Sequence, residues 1–164
     1  MIVFLDFDGV LHPDAVFRPR NKPLELRAQG ALMMHAPILE MIMEPHPDIN
    51  IILSTSWVRE LGYDRTLKRM TPSLAARVTG ATWHKHMRAN GRDTDPFNWM
   101  SRFQQIESHV KRNAIKHWLA IDDLHSGSED WPKEMQHHLV LTESAVGLSC
   151  ERVQQVLITK IRGW

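Results

Sequence analysis

One cysteine, Cys150, in 164 residues leaves no partner for an internal disulfide. It reads as a small residue at the start of the last helix. No apolar stretch approaches the roughly 18–20 residues that span a bilayer. The formal net charge of +1 argues against wholesale wrapping of nucleic acid, though not against a local basic patch. No glycine-rich phosphate loop with its lysine and no dinucleotide fingerprint occurs, so nothing in the chain asks for ATP or NAD. Internal repeats and low-complexity segments are likewise missing. No signal-like leader precedes the first apolar run, which predicts a cytoplasmic protein without a membrane anchor.

What is present is ordinary in bulk and specific in detail. A chain that is 43% apolar can bury a real core, and residues 1–164 read as one domain. Ile2, Val3, Phe4 and Leu5 form a short apolar run that ends in Asp6, Phe7, Asp8, Gly9, Val10 and Leu11. Such a run reads as a central strand of a helix-covered sheet, whose carboxyl end is where these sheets place their sites. Period-2 geometry turns Asp6 and Asp8 to one side and Phe7 to the other. Two buried carboxylates so close repel, so a cation or a proton must compensate, and oxygen ligands suit Mg²⁺. Gly9 allows a sharp turn or a close backbone approach to a ligand.

Two more strand ends carry complementary chemistry. Ile49 to Leu53 runs into Ser54, Thr55 and Ser56, hydroxyl donors suited to an anion. Trp118 to Ile121 runs into Asp122 and Asp123. The expected architecture is α/β: three layers, a mostly parallel sheet with helices on both faces.

These residues resemble the motifs of the haloacid dehalogenase-like superfamily. Phe4 to Leu11 is similar to its first motif, Ser54 after Ile51–Leu53 to the second, Lys111 ahead of Ala114 and Ile115 to the third, and Asp122 with Asp123 to the fourth. The opening, together with Leu53 to Trp57, looks most like a small branch with relatives in nucleic-acid repair proteins. The resemblance implies a Rossmann-like fold without a full cap domain and a Mg²⁺-dependent phosphatase. Asp6 would be the nucleophile, forming an aspartyl-phosphate. Asp8 would be the general acid and base, its carbonyl also serving the metal. Ser54 would bind the phosphoryl group, Lys111 would neutralise charge, and Asp6, Asp8, Asp122 and Asp123 would make up the metal set. Thr55 rivals Ser54, and Arg112 rivals Lys111. Gly9, Thr55, Arg59 and Arg112 are candidate substrate contacts, although Arg59 is as readily a surface salt bridge. Transfer to an acceptor other than water, nucleic-acid end processing, and a non-catalytic phosphate- or nucleic-acid-binding domain are the alternative functions.

Elsewhere the pattern is plainer. Residues 12–30, with Pro13, Pro19, Pro23, Arg18, Arg20, Lys22 and Arg27, read as a flap that attracts a phosphorylated small molecule or nucleic-acid end, or as a solvated loop. Residues 83–99 form a polar excursion, either facing substrate or pinned by Trp83, Phe97 and Trp99. His84 and His86 alternate like zinc ligands but lack a third. Leu32–Met43 reads as a helix, helical from near His35 because of Pro37. Another helix begins near Met100 or Ser101, and Ser149 caps the last one. Asp130 is an ordinary turn residue or an extra metal ligand. The sequence leaves the oligomeric state open.

Overall fold

The computed structural model describes residues 1–19, 22–88, 91–123 and 131–163. Five strands form one parallel sheet: β1 (Ile2–Leu5), β4 (Asn50–Leu53), β5 (Val78–Ala81), β6 (Trp118–Asp122) and β7 (Leu139–Leu141), ordered β5-β4-β1-β6-β7. β1 lies at the centre. Its neighbours are in register, with Phe4 opposite Ile52 on one side and Ala120 on the other.

Side-chain alternation along β1 divides the core into two layers. Val3 and Leu5 face α1 (Ala36–Met43) and α6 (Glu151–Arg162), packing with Leu39, Ile51, Leu119, Leu157 and Ile161. Phe4 faces the other way, with Ile52, Ala120 and Trp118 against Phe103 and Ile106 of α5 (Arg102–Arg112). The sheet is thus covered on both faces, as the sequence predicts. Among the described residues no helix is long and apolar enough to cross a membrane.

Local differences have local causes. Pro37 sits in the first turn of α1, where a missing N–H costs nothing, so the helix starts at Ala36. The last helix is preceded by Cys150, and Ser149 Oγ bonds back to the Val146 carbonyl at 2.6 Å, so Ser149 does not cap it.

Among the described residues of 12–30 is a small antiparallel hairpin, β2 (Val16–Phe17) with β3 (Glu25–Leu26). Two cations of this segment are engaged within the chain. Arg18 donates to the Glu60 carbonyl at 3.0 Å, and the Arg27 guanidinium lies 3.5 Å from the Phe17 ring centre.

In the excursion at 83–99 the anchor is Asp95. Its buried carboxylate accepts from Trp83 Nε1 at 3.0 Å, Arg88 Nε at 2.8 Å and the Phe97 N–H at 3.0 Å, with Arg59 Nε at 3.2 Å. Trp83 is buried and Phe97 packs on the core, whereas Trp99 is exposed. Burial raises the Asp95 pKa, but the hydrogen bonds from Arg88, Phe97 and Trp83 and the charge of Arg59 outweigh it, holding the group below its ordinary value. A depressed carboxylate stabilises the fold above its unfolded pKa and loses that contribution as the pH falls through its folded pKa. Asp95→Asn is expected to cost about 2–3 kcal/mol at neutral pH in urea unfolding, since it takes the buried counter-charge from Arg59 and leaves Arg88 only the exposed Glu60 at 3.8 Å. The gap between variant and parent should close as the pH falls below about 4.

Candidate active site

The parity that divides the core also assembles the site. Asp6 follows Phe4 by two residues, Ser54 follows Ile52, and Asp122 follows Ala120, so all three turn toward α5 at the carboxyl edge of adjacent strands. All three are buried. Carboxylate oxygens of Asp6, Asp122 and Asp123 lie within 4.8 Å of one another.

The cation among them is Arg102, the first residue of α5. Its Nη2 is 2.8 Å from Asp6 Oδ2 and its Nε is 2.9 Å from Asp122 Oδ2. Nη1 donates to the Ser54 carbonyl and lies 3.4 Å from Ser54 Oγ. Ser101 and Gln104 close a capping box that starts the helix at this point. Burial alone would lower the Arg102 pKa, but Asp6 and then Asp122 outweigh it and raise it. The guanidinium therefore stays charged.

Lys111 and Arg112 do not reach this site. A helix that precedes a parallel strand runs away from the carboxyl edge, and Lys111 lies nine residues beyond Arg102, about 13 Å along the axis. Its side chain is exposed and pairs with Glu107 at 2.8 Å; Arg112 is exposed in the same last turn. The sequence did contain a signal for Arg102. A cation at the positive end of a helix dipole is unfavourable unless anions face it.

Asp8 also differs from the strand-alternation picture. β1 ends at Leu5, and the chain turns after Asp6, with the Val10 and Leu11 N–H groups bonded to the Phe7 carbonyl. The Asp8 carboxylate stands outside the acidic triad, accepting from Trp57 Nε1 at 2.8 Å and lying 3.2 Å from His12 Nε2. It is 21% exposed, unlike the three buried carboxylates.

Thr55 Oγ1 caps α2 (Ser56–Leu61) by accepting from the Trp57 N–H at 3.3 Å, whereas Ser54 is the hydroxyl residue beside Arg102. Arg59, although tied to Asp95, lines a cavity of about 210 Å³ together with Ser56, Phe97 and Arg102. The expectation for Asp130 lies outside the described residues. His84 and His86 stand 6.0 Å apart, and the acidic triad is the metal-ligand group found among the described residues.

Gly9 serves Asp123. At φ 67° it occupies the left-handed region, and a Cβ there would overlap the Asp123 carboxylate. Gly9→Ala is expected to cost about 1–3 kcal/mol through backbone strain and collision. It should also weaken Mg²⁺ affinity by displacing Asp123, as titration calorimetry would measure.

Electrostatics favour a cation in the triad. Burial, the largest influence, and the neighbouring charges of Asp122 and Asp8 raise the Asp6 pKa well above its ordinary value; Arg102 and the Phe7 N–H oppose them. Three formal carboxylate charges against one guanidinium leave −2, which a hard divalent ion balances. Oxygen donors, burial and spacing all fit Mg²⁺.

A parallel sheet covered by helices on both faces, with buried acids at two adjacent strand ends and a buried arginine among them, defines an α/β domain with an acidic site suited to a cation. Residues 2–153 match the family model described as the HAD domain in Swiss Army Knife RNA repair proteins, and the chain belongs to that family. No curated protein and no solved structure matches significantly.

Proposed function

We propose that the chain is a Mg²⁺-dependent phosphomonoester hydrolase working through an aspartyl-phosphate on Asp6, with a phosphorylated RNA end as its substrate class. The observation that carries the reading is the Arg102 bridge between Asp6 and Asp122 beside Ser54, a cationic cradle where a phosphoryl group would meet its nucleophile. The family description supports the RNA end over a small metabolite.

Asp6, Asp122 and Asp123 would hold Mg²⁺, which supplies charge neutralisation and polarises a phosphoryl oxygen. An Asp6 oxygen attacks phosphorus while the ester P–O bond breaks, and Asp8 gives its proton to the departing oxygen. Asp8 then takes a proton from the water that attacks the same phosphorus and frees Asp6. Arg102 and the Ser54 hydroxyl gather charge on the phosphoryl oxygens throughout.

The test is phosphate release from RNA oligonucleotides phosphorylated at the 5′ or 3′ end, compared with a panel of phosphorylated metabolites, with and without Mg²⁺. Release from neither set would end the reading. Release from metabolites alone would end its RNA part.

A further inference from the structure

Asp8 is gripped by two donors that strand periodicity does not single out. Trp57 Nε1 donates to Oδ2, and the direction of the bond between Oδ1 and His12 follows from the opposite edge of the imidazole. The Met33 N–H faces His12 Nδ1 at 3.3 Å. An N–H can only donate, so Nδ1 accepts and the ring proton resides on Nε2, aimed at Asp8. His12 is a fixed donor and not a relay, because giving up that proton would leave an imidazolate.

The arrangement is built into the fold. His12 is fully buried, its ring centre 5.6 Å from that of Trp57. Met33, which fixes the tautomer, holds φ 62°, a region unfavourable for a residue with a Cβ. Both donors act on a carboxylate adjacent to a triad that attracts cations. Released, Asp8 could swing in as a fourth ligand and be lost to proton transfer. Each gripped oxygen still keeps a second lone pair for a proton.

We propose that His12, with Trp57 as its counterpart, is a positioning residue that holds the Asp8 carboxylate out of the acidic triad and toward solvent, where the leaving group departs and water enters. The inference rests on the phosphatase reading and deepens it.

The experiment compares two esters under kcat/KM, which reports the steps through loss of the leaving group. With an alkyl phosphate, whose leaving oxygen needs a proton, His12→Phe should lower kcat/KM about 10- to 100-fold. With 4-nitrophenyl phosphate, whose leaving group needs little help, the loss should stay under about 3-fold. His12→Gln, which returns an N–H near the position of Nε2, should recover most of the alkyl activity. Equal losses on both esters would overturn the proposal, as would no loss on either. Nitrogen-15 spectra of the parent labelled at histidine and tryptophan give a readout independent of turnover. They should show His12 protonated on Nε2, and Asp8→Ala should move both that signal and the Trp57 indole N–H. An Nδ1–H tautomer, or signals indifferent to Asp8, would overturn the grip. A parent that releases phosphate neither from these esters nor from phosphorylated RNA ends refutes the phosphatase reading, and the spectra then decide the grip alone.

Discussion

Arg102→Met is expected to lower kcat/KM by at least about 10³-fold and to destabilise the metal-free fold by about 3–5 kcal/mol, whereas Lys111→Ala leaves both nearly unchanged. Arg102 is the buried cation among three buried carboxylates, and methionine of similar length removes its charge while keeping an unbranched side chain at the strand ends. The carboxylates left behind repel one another, and Asp6 and Asp122 have lost the guanidinium that bridges them. Lys111 is 71% exposed in an i,i+4 pair with Glu107, a contact worth about 0.3–0.5 kcal/mol. Arg102→Lys should recover part of the stability but little of the rate, since an ammonium cannot span Asp6 and Asp122 as a fork does. Urea unfolding and steady-state kinetics on the four proteins check this. A Lys111 variant that loses activity while Arg102→Met keeps it would return the role to Lys111.

Asp6→Asn is expected to abolish turnover and, without metal, to stabilise the fold by about 1–2 kcal/mol near neutral pH. An amide cannot attack phosphorus, and it removes one of the charges that burial penalises. Arg102 still has Asp122 as its counter-ion. The sign of the pH dependence follows from the raised pKa of Asp6. Between an unfolded pKa of about 3.9 and the higher folded value, the folded protein holds a proton that the unfolded chain has lost. Stability of the metal-free parent therefore falls as the pH rises through that window, and then levels off. The substituted amide does not titrate, so the variant's advantage should grow across the same window. Mg²⁺ should reverse the order by raising the parent's melting temperature, with about 2.7 kcal/mol of stabilisation at a hundred-fold excess over Kd. Parallel pH profiles, or equal Mg²⁺ stabilisation of both proteins, would contradict this account of the triad.

The strand ends were legible because alternation is a one-dimensional property. Phe4 and Asp6, Ile52 and Ser54, and Ala120 and Asp122 are each two residues apart, and that spacing alone puts the polar residue on the face of its apolar predecessor. Lys111 was proposed from its resemblance to a third motif, and the order of motifs along the chain says nothing about which edge of the sheet a residue occupies. Helix direction decides that, and the Ser101–Gln104 capping box marks the end that reaches the carboxylates. The Asp8 carboxylate was expected beside Asp6 by extending strand geometry past Leu5, where the backbone already turns. The basic residues of segments 12–30 and 83–99 suggested ligand contacts, yet Arg18, Arg27 and Arg88, like Arg59 of α2, engage groups of the chain itself.

By itself the sequence determined a parallel sheet with acids and hydroxyls at the ends of its central strands, because burial and period-2 alternation act within a few residues. Tertiary structure decided the counter-charge and the orientation of Asp8. Arg102 meets Asp6 across 96 residues of chain, and Trp57 meets Asp8 across 49. Those pairings depend on where helix ends dock against the sheet, and local spacing does not encode that.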